Sequence, residues 1–227
     1  MLVAAAVCPH PPLLVPELAA AAATELDELR AACDEAVAAL AGQRPDELVV
    51  VGADPGAGVY PAESGASMRS YGADVRIGGP EGQLPLALAI GAWLLARADR
   101  RWPVRYVGVR PDAPTHSCLG LGRALADDPR RIALLVMGDG SARRTRQSPG
   151  RYDERAEAFD ALVADALRSG DVEALSSIDP GFATELMAEG RASWQVLAGA
   201  AARRPMAATL RFAAAPYGVT YVVATWG

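Results

Sequence analysis

Read for its apolar and polar positions, the chain alternates between strand-like runs and helix-like stretches. Leu2–Val7 is short, continuously apolar and stopped by proline, the pattern of a buried strand. From Pro16 to Leu40 the apolar residues Leu26, Leu29, Cys33, Val37 and Leu40 recur at helical spacing, with Pro16 near a permissible helix start and "GQRP" as the stop. "DELVVVGAD" predicts a second buried strand that runs into the glycine- and proline-rich loop "PGAGVYPAESG". A β-leaning segment near "YGADVRI", a helix around Leu84–Ala98 and the strand "VRYVGV" follow. "HSCLGLGRALAD" starts as a loop and ends as a helix, and "RRIALLVMGDGS" is a strong strand ending in a glycine turn. Tyr152–Arg168 predicts an amphipathic helix with Phe159, Leu162, Val163 and Leu167 on one face. After two shorter helices, "MAATLRFAAAPYGVTYVVATWG" predicts a closing hairpin turned at Pro216–Gly218.

This alternation predicts an α/β fold in which βαβ units surround a largely parallel central sheet, with helices on both faces and a C-terminal antiparallel hairpin. No internal repeat, low-complexity linker or composition break interrupts residues 1–227, so a single domain is expected. Sheets of this kind place function beyond the carboxyl ends of their strands. Three such ends carry polar, chemically capable residues: "CPHPP", "GADPG" and "GDGSARR".

Composition narrows the function classes. The chain has 227 residues, 51% hydrophobic and 22% charged, ordinary for a globular protein. A formal charge of -5 and an isoelectric point near 5.1 argue against a nucleic-acid or anionic-membrane surface. All 22 cationic residues are arginine, which together with the alanine excess reads as genomic codon bias. Cys8, Cys33 and Cys118 form neither a zinc pattern nor a disulfide framework, which fits a reducing cytoplasm. "MLVAAAVC" faintly resembles a lipoprotein cleavage site, but it has no basic flank and too short an apolar run. No run approaches the roughly 20 apolar residues of a membrane span, so a cytoplasmic protein is expected.

Several chemistries can be weighed from the residues. "GADPGAG" lacks the Lys-Ser/Thr of a phosphate loop, and no GxGxxG follows a strand. A serine hydrolase is weakly supported, because no GxSxG elbow occurs and Ser141 has no neighbouring histidine. A mononuclear metal site would need imidazole and carboxylate ligands converging from strand ends, and His10 and Asp54 are placed for that. Each candidate also has an ordinary structural explanation. His10 can be a loop residue, Asp54-Pro55 a turn opener, Glu189 a solvated residue before a helix-ending glycine, and His116 a neighbour of a helix start.

Taken in order, the segments resemble the class III extradiol ring-cleavage dioxygenase family of the subunit-B type, which also includes the Memo proteins. "VCPHPPLLVPEL" is similar to the family's opening strand and first metal histidine, and "PDELVVVGADPG" to the strand that ends in Ser-Pro-His. "RRIALLVMGDGSARR" resembles the strand ending in Gly-Asp-x-Ser-His, and "YDERAEAFDALVADALRSGDVEAL" the helix after it. "ELMAEGRASWQVLAGA" is similar to the late carboxylate-bearing segment and "PYGVTYVVATWG" to the closing strand. The resemblance spans nearly the whole chain. It implies one divalent metal, Fe(II) in the active family, held by two histidines and a glutamate, with a further histidine as acid/base.

Carried over by position, His10 matches the first ligand and Glu189 the carboxylate ligand, while the second histidine falls on Asp54. The acid/base histidine falls on Ala142, after Ser141. One histidine with two carboxylates would shift preference toward harder ions such as Mg, Mn or Ca, with Zn also open. Loss of an acid/base group typically removes about 10²–10⁴-fold of rate. Two expectations therefore stand side by side. One is a divergent metalloenzyme acting on a small aromatic diol, its metal on His10, Asp54 and Glu189, with His116 and Asp139 as catalytic candidates and Tyr60 as a polar contact. The other is a non-catalytic relative, with no metal or a small ligand, acting by binding. Tyr60, Met68 and Trp194 are candidate walls for a phenolic ligand, and a homodimer is a further possibility.

Overall fold

In the computed structural model, which describes residues 1–98 and 101–227, the expected architecture is realised. The first half contains β1 (Leu2–Cys8), α1 (Pro16–Ala19), α2 (Asp27–Gly42), β2 (Glu47–Ala53), β3 (Val59–Tyr60), β4 (Gly65–Ser67), β5 (Arg76–Gly78) and α3 (Leu86–Ala96). Then come β6 (Val104–Val109), α4 (Thr115–Ala126), β7 (Ile132–Met137) and α5 (Ala156–Ser169). The chain closes with α6 (Val172–Ser176), α7 (Pro180–Glu185), α8 (Arg191–Ala201), β8 (Ala208–Ala214) and β9 (Tyr221–Trp226).

Seven strands form one sheet in the order β3-β6-β2-β7-β1-β9-β8. β6, β2, β7 and β1 run parallel, and β9 pairs antiparallel with both β1 and β8. The closing hairpin turns where expected, with Gly218 at φ +73 donating to the Ala215 carbonyl. β4 and β5 form a separate small ribbon, with β5 on the segment expected to lean toward β, while β3 lies inside the stretch expected to be loop.

Both faces of the sheet are covered, which explains why the central strands are apolar throughout rather than alternating with polar residues. Leu2, Ala5 and Val7 of β1, with Ile132, Leu134 and Val136 of β7, pack into a core that takes in α5 and α8. Ala4, Ala6 and Cys8, with Ala133, Leu135 and Met137, pack on the other side against α2 and α3. No helix among the described residues is long and apolar enough to cross a membrane.

Two expectations about helices need correcting. The helix expected over Pro16–Leu40 is broken into α1, a 3-10 stretch over Ala20–Leu26, and α2. Between Leu18 and Leu26 the sequence has no large apolar residue to define a buried stripe. Leu162 is exposed rather than packed. At about 100° per residue, Phe159, Val163, Ala166 and Leu167 fill one arc of α5, and Leu162 falls just outside it.

Candidate functional site

His10 lies two residues beyond β1, between Pro9 and Pro11, where no regular hydrogen-bond ladder fixes the backbone. Four features hold it instead. Pro11 bars its predecessor from helical geometry, and Pro12–Leu14 forms a 3-10 turn closed by Leu14 N–H on the Pro11 carbonyl. Arg30, buried in α2, donates to the Leu14 and Leu13 carbonyls at 2.7 and 3.1 Å. His10's own N–H donates to Asp139 Oδ1 at 2.7 Å. The backbone that carries the imidazole is thereby fixed by charged and rigid neighbours.

Asp139 stands two residues beyond β7, the strand beside β1, so the sheet register itself brings it to His10. Its Oδ1 lies 3.5 Å from His10 Nδ1, an ion-pair contact rather than a hydrogen bond, and Nδ1 has no hydrogen-bond partner among the described residues. On the other side of the ring, Nε2 is 3.1 Å from Glu189 Oε2. Glu189 arrives from the turn between α7 and α8. Gly190 N–H donates to the Asp139 carbonyl at 2.9 Å, and Gly138 meets Gly190 so closely that a Cβ there would lie 2.5 Å from the Gly190 Cα. Two glycines thus let the turn dock on the strand end. Only the Glu189 side chain opens to solvent, at 61% exposure against 3% for His10.

The electrostatics follow from this placement. Burial pushes the His10 pKa down, but the Asp139 charge and the bond to Glu189 outweigh it, and the net shift is upward. Burial raises Asp139, and His10 only partly offsets it. The hydrogen bond to His10 lowers Glu189 against a smaller opposing effect of burial. Tyr221, buried on β9, is pushed up by burial and then by the nearby Asp139 charge.

Asp54 is not brought into this group. Its Oδ1 accepts from Gly56 N–H at 2.8 Å, and its Oδ2 accepts from Gly58 N–H at 2.7 Å and Tyr60 O–H at 2.9 Å. The carboxylate leans on Gly108 of β6, where a Cβ would sit 2.2 Å from Oδ2. β6 and β1 lie on opposite sides of β2, with β7 between β2 and β1, so this lean points away from His10. The donor set His10, Asp54 and Glu189 implied by the family resemblance does not fit a shared metal in this arrangement. Among the described residues, no three His, Cys, Asp or Glu side chains are grouped to hold a metal ion.

The remaining candidates fall elsewhere. His116 is exposed on the first turn of α4 and makes no hydrogen bond or ion pair with His10, Asp139 or Glu189 among the described residues. Ser141 is fully buried and donates to Asp160 Oδ2 at 2.5 Å, which excludes it as an open nucleophile. Ala142 offers only a methyl group, while its N–H ties the loop to the Leu186 carbonyl. Met68 and Trp194 are core residues rather than pocket walls, and Tyr60 is bound to Asp54. Sequence reading missed Arg30 and Asp160, which brace the loops after β1 and β7. A buried ionisable residue in an amphipathic helix was the available signal, since each sits on the inward face of its helix.

Comparison with known proteins adds fold but no activity. No family model matches the chain, and no curated protein matches it. A solved structure described as the uncharacterized protein JW3007 from Escherichia coli K12 is similar with a TM-score of 0.60. That likeness covers 99% of this chain and 100% of the other at 16% sequence identity. At that identity the similarity establishes a shared fold alone.

Proposed function

We propose that the protein is a divergent, non-ring-cleaving relative of the class III extradiol dioxygenases that acts by binding a small ligand at the His10–Asp139–Glu189 cluster. The observation that carries this reading is the engagement of Asp54: its carboxylate accepts three hydrogen bonds from its own loop. Ala142 stands where the family's acid/base histidine would be, and the chain's other histidine, His116, is exposed on α4. What is left is an imidazole, raised in pKa, between a partly buried and an exposed carboxylate. Such a cluster carries net negative charge when His10 is protonated. Its open face, Glu189, suits a ligand that offers a hydrogen-bond donor or a cationic group.

One observation favours a second reading. His10 Nε2 and Glu189 Oε2 come from separate elements and lie 3.1 Å apart, with Asp139 beside the opposite ring nitrogen. A divalent ion on that pair would have a carboxylate beside the opposite ring nitrogen, and a small approach of Asp139 to Nδ1 would complete a common outer-shell arrangement. Anaerobic titration with Fe(II), Mn(II) and Zn(II), for wild type and His10→Ala, separates the two. The expected result is no stoichiometric, His10-dependent binding, and no coloured ring-opened product from catechol or protocatechuate in air. Stoichiometric binding lost in His10→Ala, together with ring-opened product, would overturn the proposal.

A further inference from the structure

A pocket lies at the carboxyl end of β6, between that strand, the Asp54 loop and α4. It has a volume of about 460 Å³ and is lined by Ala57, Val59, Val107, Val109, Ser117 and Leu121 among others. None of His10, Asp139 or Glu189 lines it. The volume lies within the usual range for small-molecule sites, and the pocket opens on the carboxyl-end side of the parallel strands, the side on which open α/β sheets bind ligands.

Both irregular walls are braced by buried charged side chains. On one side Asp54 holds Gly56, Gly58 and Tyr60, and Gly108 N–H closes the loop onto the Gly58 carbonyl at 2.7 Å. Within that loop Ala57, which faces the pocket, is held at φ +50, a backbone region unfavourable for a residue with a Cβ. On the other side the buried Arg191 donates to the Ala113 carbonyl at 2.6 Å and to the Pro111 carbonyl, fixing the connection from β6 to α4. Burying a carboxylate and a guanidinium to hold loop backbone is unfavourable in itself. In return it gives two walls that do not have to reorganise when a ligand enters.

The lining chemistry selects the ligand. The walls are mainly valine, leucine and alanine, and the charged groups at the rim neutralise one another, with Arg110 meeting Asp112 through two contacts of 2.8 Å. Among the lining residues, no unmatched charge is offered to an ionic ligand. We propose that this pocket binds an uncharged, predominantly apolar small molecule, and that Asp54, rather than acting as a metal ligand, is a positioning residue for its wall. The inference does not depend on the function proposed for the His10 cluster.

The test uses N-phenyl-1-naphthylamine, a neutral apolar fluorophore, titrated into the full chain. Saturable one-to-one binding is expected. Ser117→Trp, which places an indole at the mouth from an exposed helix position, should weaken it by about tenfold or more, equivalent to about 1.4 kcal/mol. Leu121→Trp should do the same from the wall, and Leu162→Trp, on the exposed face of α5, should leave binding unchanged. Asp54→Ala should weaken binding while the far-ultraviolet circular dichroism spectrum stays that of wild type. Absence of saturable binding, or equal affinity in the Ser117→Trp and Leu162→Trp variants, would overturn the proposal. So would a concentration-dependent dimer, seen by sedimentation and abolished by Ser117→Trp, which would assign the surface to a second copy of the chain.

Discussion

Asp54 and Asp139 stand just beyond two neighbouring parallel strands, and the molecule puts them to opposite uses. Asp54 turns toward β6 and organises its own loop, accepting three hydrogen bonds from residues within six positions of itself. Asp139 turns toward β1 and accepts from His10, 129 residues away in sequence. The same residue type at equivalent places therefore serves local structure in one case and a long-range cluster in the other. What decides it is the following chain. Pro55-Gly56-Ala57-Gly58 can fold back to present N–H groups, whereas Gly140 and Ser141 direct theirs to Thr220 and Asp160.

Glycine substitutions should break the comparison most severely. In Gly138→Ala the new Cβ would meet backbone, the Gly190 Cα at 2.5 Å, so the Glu189 turn must move. In Gly108→Ala it would meet the Asp54 side chain, which can shift more easily. Overpacking at such sites typically costs about 1–3 kcal/mol, so we expect about 3 for Gly138→Ala and about 2 for Gly108→Ala by urea unfolding. Equal losses, or a larger loss at Gly108, would show that the strand end of Asp139 is the more compliant of the two.

The amides should sharpen it further. Asp54→Asn keeps one oxygen and turns an NH₂ toward donors that both carboxylate oxygens now serve, so a loss of about 1–2 kcal/mol is expected. Asp139→Asn retains the single acceptor that His10 N–H needs and removes a partly buried charge, so its stability should change by less than about 0.5 kcal/mol. A loss at Asp139 as large as that at Asp54 would mean that its charge, rather than its acceptor oxygen, holds the strand end together.

These contrasts also mark what the sequence could reveal. The parallel sheet was legible because continuous apolar runs such as Ile132–Met137 require burial on both faces, and the hairpin because Pro216–Gly218 separates an alternating strand-like segment from a continuously apolar one. His10, Asp139 and Glu189 could each be placed at a strand end or turn. The direction in which Asp54 leans could not, because it depends on Gly108 leaving room across the sheet and on loop donors that only the folded backbone aligns. The pocket beside β6 was equally hidden, being made of residues from three separate segments with no shared motif.

The smallest effect, and the most specific to the Asp139 side, is on proton affinity. Because His10 is raised by its carboxylate neighbours, its favourable contribution to folding is complete below the ordinary imidazole value of about 6.5 and is lost as pH rises through the higher folded value. Glu189 is lowered, so its contribution is present above the ordinary carboxyl value of about 4.3 and is lost as pH falls through its lower folded value. Asp139 is raised and works the other way, weakening the fold as it ionises. The stabilising effects of His10 and Glu189 therefore overlap fully between about pH 4.3 and 6.5. The stability gap between wild type and His10→Gln should be larger at about pH 6 than at about pH 9. In a proton NMR titration, with the His116 signal removed by His116→Gln, the His10 imidazole should titrate above its ordinary value in the wild-type background. It should move down in Asp139→Asn and stay in place in Asp54→Asn, since Asp54 leans toward β6. A response to Asp54 as strong as that to Asp139 would place both carboxylates on the same histidine and undo the distinction between them.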